Sequence, residues 1–247
     1  MIKRVFGIAL SALIFALPAT ARADGVSAGI TITATHGTHE EANQTVITAP
    51  LIPAPILNAG LKHNHVELSA EGLPPIGPIH VENDGQGLRG VRLGYADTSL
   101  RFWDSQEKVA FGIGESLYVQ RSMYFITPFR TEVDASRVVG GRYEIVGIER
   151  LGQTIRFVSS VAVNPRLHAV LTHTFEGPDS AHWYSPHHPE SGSQVDIASR
   201  IERSRGRATI AFGVRYLNLN MKFDDGSLAD RNVFVMPFVS FSTVIGR

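Results

Sequence analysis

The richest local set of metal-donor side chains is His182-Trp183-Tyr184-Ser185-Pro186-His187-His188-Pro189-Glu190. His182, His187, His188 and Glu190 are of the types that hold zinc or copper. Prolines on both sides of the adjacent histidines work against convergence on one ion, so a polar loop is expected and no metal is assigned. His63 and His65 share one parity with Glu67. On a strand that parity is one face, and a hydrogen-bonded network is expected there rather than a ligand pair. His39-Glu40-Glu41 lacks the second histidine of His-Glu-x-x-His, and there is no Gly-x-Ser-x-Gly elbow or phosphate loop. Asp224-Asp225-Gly226-Ser227 lacks the spaced acids of a calcium loop and reads as a hairpin tip. The chain has no cysteine, which removes thiolate zinc sites and disulfides. No catalytic centre and no cofactor emerge, and the chain is expected not to be an enzyme.

The elements that would carry these residues start with an export signal. Lys3 and Arg4 precede an apolar run over residues 5–17, and Ala21-Arg22-Ala23 is a small-x-small cleavage site. Residues 1–23 are therefore expected to be a signal peptide. In residues 24–58 the prolines of the run Ala49-Pro50-Leu51-Ile52-Pro53-Ala54-Pro55 remove three backbone donors. Apart from room for a short strand over residues 24–36, an extended leader is expected there, followed by one β domain over residues 59–247. Net charge is zero, which argues against a nucleic-acid partner. Lysine occurs only at Lys3, Lys62, Lys108 and Lys222, and every other base is arginine. Arginine suits fixed, forked pairing with carboxylates in confined space.

From residue 59 onward the chain alternates with period two. In the stretch Arg137-Val138-Val139-Gly140-Gly141-Arg142-Tyr143-Glu144-Ile145, the residues Val139, Tyr143 and Ile145 oppose Arg142 and Glu144. Similar segments span residues 59–71, 88–95, 98–104, 108–122, 153–163, 166–176, 194–203, 207–222 and 231–246. The apolar phase shifts from Tyr216 to Leu217, which suggests a bulge. Asn164-Pro165 reads as a tight turn, and residues 177–193 as a long loop. Long and short connections alternate toward the C-terminus, and most segments reach the length of a tilted membrane crossing. The fold class is all-β, an antiparallel transmembrane barrel of 8–10 strands. The alternative is a soluble lipocalin-like barrel in the periplasm or secreted, which would turn its apolar face inward around an apolar ligand.

The signal peptide and residues 59–247, with their alternating strands and the aromatics Phe238 and Phe241 near the C-terminus, resemble a small bacterial outer-membrane β-barrel protein. The resemblance implies an outer-membrane location, lipid around the barrel, and handling by the outer-membrane assembly machinery. Gln44, Thr45, Val46, Ile47 and Thr48 are similar to a TonB box, which implies a TonB-like partner that binds by strand addition. The paired Asp and Asp-x-His that omptin-like surface proteases carry on their rim are not recognised. With the polar phase inward, the lumen would hold the acids Glu67, Glu71, Glu144, Asp196 and Glu202. The facing bases are Arg92, Arg142, Arg156, Arg200 and Arg215. So confined, these charges must pair. A hairpin centred near residue 150 would set Glu144 opposite Arg156. The expected role is structural, adhesive or that of a narrow channel.

Overall fold

The computed structural model describes residues 25–41, 44–79, 88–127, 130–176, 183–187, 189–223 and 229–245. They form strands β1 (Gly25–Glu41), β2 (Gln44–His63), β3 (Val66–Ile79), β4 (Leu88–Trp103), β5 (Val109–Thr127) and β6 (Arg130–Arg150). The second half contributes β7 (Ile155–Asn164), β8 (Leu167–Glu176), β9 (Trp183–His187), β10 (Pro189–Arg205), β11 (Ala208–Phe223) and β12 (Ala229–Ile245). All pairings are antiparallel, β5 pairs with β6, and β12 returns to β1 from Val26↔Ile245 to Glu41↔Asp230. The sheet is a closed ring.

The twelve segments occupy ten positions in that ring. β6 pairs with β7 up to Tyr143↔Val163 and resumes with β8 at Gly140↔Leu167. Three steps on β6 thus face four on its partner, which is a one-residue bulge at Asn164-Pro165-Arg166. Asn164 is buried there, and its Nδ2 donates to Gly140 O at 3.3 Å. β9 and β10 continue one another in the same way, because Leu171↔His187 and Gln194↔Asn164 share one register. The tight turn expected at Asn164-Pro165 is therefore a kink inside one long strand. Trp183–His187, expected within a loop, extends the wall.

Residues 24–58 were expected to be a leader, but their described part is barrel wall. β1 and β2 pair from Gly25↔Lys62 to Glu41↔Gln44, with the Gln44–Thr48 stretch inside that ladder. Pro53 and Pro55 are tolerated because β2 pairs with β3 only over Leu57–His63. The expected strand over residues 59–71 is a hairpin, turned by Asn64 at φ 52°. That turn leaves His63 and His65 exposed at its tip. Residues 88–95 and 98–104 join as the single strand β4. The signal peptide lies outside the described residues.

Tight turns close one end of the ring at residues 64–65, 104–108, 151–154 and 206–207, where Gly206 adopts φ 61°. In the turn after β4, the Asp104 carboxylate accepts the backbone N–H of Val109 (3.1 Å) and Lys108 (2.6 Å). The Val109 bond first of all holds that carboxyl below its ordinary range. Gly25 and Ile245 lie at this same end.

The two faces of the wall are unlike. Outward positions carry Ile32, Leu57, Phe111, Tyr143, Ile145 and Phe212, all exposed. Inward positions are layered. Near the turns, Ala110, Val146 and Val158 form an apolar floor with Trp103 and Ile148. Toward the other end, Ile56, Leu73, Tyr118, Val138, Leu219 and Met221 form a second apolar layer against Phe234. The phase shift after Tyr216 reflects this layer. β10 and β11 stay in register from Asp196↔Leu217 to Ile197↔Tyr216, with no bulge. Leu217, Leu219 and Met221 point inward because the interior itself becomes apolar there.

Candidate functional site

Between the two apolar layers lies a belt of ion pairs. Arg215 on β11 is its centre. Its Nε donates to Asp196 Oδ1 at 2.8 Å and its Nη2 to Asp196 Oδ2 at 2.6 Å, a forked contact with β10. Nη2 also donates to Asp97 Oδ2 of β4 at 3.1 Å. Nη1 donates to the Tyr95 hydroxyl at 2.8 Å and to Glu71 of β3. The guanidinium carbon stands 5.1 Å from the Tyr95 ring centroid. One side chain thus ties its wall neighbour β10 to β3 and β4, which do not adjoin β11.

Arg142 on β6 completes the group. Its Nη2 donates to Asp196 Oδ2 at 2.9 Å, and its Nη1 stands 3.3 Å from Asp97 Oδ2. Asp97 and Asp196 are each shared by two arginines. Residues Asp97, Arg142, Asp196 and Arg215 are all less than 8% exposed. A buried charge is tolerable only when paired in this manner.

A second group adjoins the first through Arg142 and Glu144, 3.8 Å apart. Arg101 on β4 grips Glu144 with Nε (3.0 Å) and Nη2 (2.9 Å), and reaches Glu67 with Nη1 (3.0 Å). Trp103 Nε1 donates to Glu67 Oε2 at 2.8 Å. Gly112 makes room for this grip, since a Cβ there would lie 3.1 Å from Glu144 Oε2. A third group, nearer the turns, has Glu202 accepting from Arg156 and from Arg200.

Nine of the ten expected lumen residues thus enter ion pairs: Glu67, Glu71, Arg142, Glu144, Arg156, Asp196, Arg200, Glu202 and Arg215. The side chain of Arg92 lies outside the described residues, as do those of His182, His187 and His188. Asp97, Arg101 and Tyr95 were missed from sequence. Their signal was the parity row Tyr95, Asp97, Ser99, Arg101, Trp103 on one continuous strand. The expected Glu144–Arg156 pair does not form. The β6–β7 hairpin turns over residues 151–154, so Arg150 faces Arg156 and Glu144 faces Ala162. The coupling expected of Glu144 therefore belongs to Arg101. In a double-mutant cycle, Glu144→Ala and Arg101→Ala should each destabilise the refolded protein, and together lose less than their sum. Glu144→Ala with Arg156→Ala should be additive, as measured by urea unfolding.

Charges inside and bare apolar side chains outside form the reverse of a water-soluble barrel. Lipid is the solvent such an outer face suits. Fold and polarity together define a membrane-spanning β-barrel of the bacterial outer-membrane type. The outer membrane protease OmpT from Escherichia coli has a similar fold. It superposes with a TM-score of 0.66 at 11% identity, covering 91% of this chain and 98% of that one. Neisserial surface protein A (7% identity, 88% and 96% covered, TM-score 0.39) and the translocator domain of the autotransporter NalP from Neisseria meningitidis (9%, 98% and 95%, 0.39) are also matched. No family model matches the chain, and no curated protein matches it.

Proposed function

We propose that the chain is a non-catalytic outer-membrane barrel with a sealed, charge-paired interior, serving a structural or adhesive role. The observation that carries this reading is the Arg215 group, which draws Glu71, Asp97 and Asp196 from β3, β4 and β10 onto one guanidinium. Side chains gripped in this way occupy the lumen instead of lining a water path, and apolar layers on both sides remove the hydration an ion would need. Among the described residues the ion pairs engage these acids and bases with one another and place no base beside a nucleophile.

Planar-bilayer recording tests the reading. The wild-type protein should insert without steady stepwise conductance in neutral salt. A stable ohmic step would replace the sealed barrel by a narrow channel through the charged belt.

A further inference from the structure

The wall between β2 and β3 changes character at Leu57. On the turn side, pairs run from His63↔Val66 to Leu57↔Gly72. Beyond that point, no β2–β3 pair forms among the described residues. Yet β2 stays paired with β1 as far as Gln44, and β3 with β4 as far as Ile79. The cause is in the sequence. Pro50, Pro53 and Pro55 on β2 and Pro74, Pro75 and Pro78 on β3 have no backbone N–H to offer. The result is a seam between β2 and β3, flanked by a β3–β4 ladder that itself shifts register at Leu73–Ile76 and Ile76–Ile79.

What lies on each side of the seam is apolar. Pro53 and Pro55 are exposed on the outer face, opposite Ala34 and Ile32 of β1, within the belt that faces lipid. Ala54, Ile56 and Leu73 are buried directly behind it, in the apolar layer that also contains Tyr118. A separate observation points to an occupant. The Tyr118 hydroxyl is buried and has no hydrogen-bond partner among the described residues. Such a group is costly unless something accepts from it.

We propose that the seam is a lateral entry and binding slot for an acyl chain with an oxygen-bearing end, drawn from the lipid around the barrel. The chain lies against Ala54, Ile56 and Leu73, and its terminal oxygen accepts the Tyr118 hydroxyl. An acyl chain needs no backbone partners, so donor-poor lips suit it, whereas a peptide strand would find too few donors to add to the sheet. No ladder has to break for the lips to part. The inference rests on the membrane-barrel reading.

Because the chain has no cysteine, single-cysteine variants report cleanly. Ala54 and Ala162 are both buried inward alanines, but Ala162 sits behind a fully laddered wall between Glu144 and Asp196. Ala54→Cys and Ala162→Cys are refolded into phospholipid vesicles and treated with an apolar maleimide dissolved in the bilayer. Ala54→Cys should react several-fold faster, and equal rates would overturn lateral entry. Ile56→Cys serves where Ala54→Cys does not fold. In detergent, palmitic acid and a single-chain palmitoyl phospholipid each compete against a fluorescent polyene fatty acid. Tighter competition by the acid names a free fatty acid as the occupant, tighter competition by the ester names a lipid, and failure of both overturns the site. Tyr118→Phe should weaken the winning ligand several-fold with an unfolding midpoint no lower than that of the wild type, and unchanged affinity would remove Tyr118 from the site. Heat-modifiable gel mobility separates the two levels. Its loss in wild type defeats the barrel reading itself, while its retention with equal maleimide rates defeats the seam alone.

Discussion

Arg215→Ala is expected to destabilise the folded barrel by about 3–5 kcal/mol, the range for removing one partner of a buried ion pair. The substitution leaves Glu71, Asp97, Asp196 and the Tyr95 hydroxyl converging on a space with no cation of its own. Arg142 remains against Asp97 and Asp196, but it does not reach Glu71. Urea unfolding of the vesicle-refolded protein measures the loss. Arg215→Lys should recover only part of it, because an ammonium cannot fork onto both oxygens of Asp196 while also reaching β3 and β4. Loss within a few tenths of a kcal/mol for Arg215→Ala would mean that the lumen is hydrated and that the group is no seal.

Ile145→Arg is expected to cost about 2–4 kcal/mol, the figure for a cation placed on the lipid face near the bilayer midplane. The neighbouring Glu144→Gln should cost less, since glutamine keeps an acceptor for Arg101. The order of the two effects is the informative part. Ile145 is 49% exposed and Glu144 is 2% exposed, so in water the arginine would be harmless and the buried change would dominate. Unfolding from vesicles should therefore show Ile145→Arg as the worse variant. The reverse order would turn the barrel inside out and restore the soluble alternative.

These two adjacent residues also show what was legible beforehand. The stretch 137–150 alternates between sharply different side chains, so its two faces follow from parity alone. Parity fails where one face changes solvent along its length. On β11 the inward row passes from Arg215 to Leu217, Leu219 and Met221, and an alternation read as polar-in demanded a bulge that the wall does not have. Prolines misled in both directions. On β2 they hid a strand, because a wall strand with one unladdered side tolerates them. At Pro165 a proline marked a bulge that looked like a turn. Ten strands were expected as the upper count, but with different members. Two pairs of segments merged, the short strand allowed over residues 24–36 runs on to Glu41 as β1, and one expected segment divided between β2 and β3. Nine of the ten residues read as lumen charges enter ion pairs, because each stands opposite a row of apolar side chains, whereas Glu115, Arg137 and Arg203 sit on the exposed parity. Asp97 and Arg101 were lost when β4 was cut in two at Ala96.

The final pairing, β12 with β1, joins the two ends of the described chain. Every other pairing around the ring joins two of its ten positions that follow one another in sequence. Closing the ring is therefore the step of greatest sequence separation and carries the largest loop-closure entropy. Until that step an unclosed sheet shows two raw edges, which are sites of wrong association. Arg215 and its partners come from both halves of the chain, with Glu71 and Asp97 from one and Asp196 from the other. Their attraction is available only when the halves have curled face to face. It acts as a latch that engages on completion, favours the closed ring over slipped registers, and slows reopening once the barrel is in lipid.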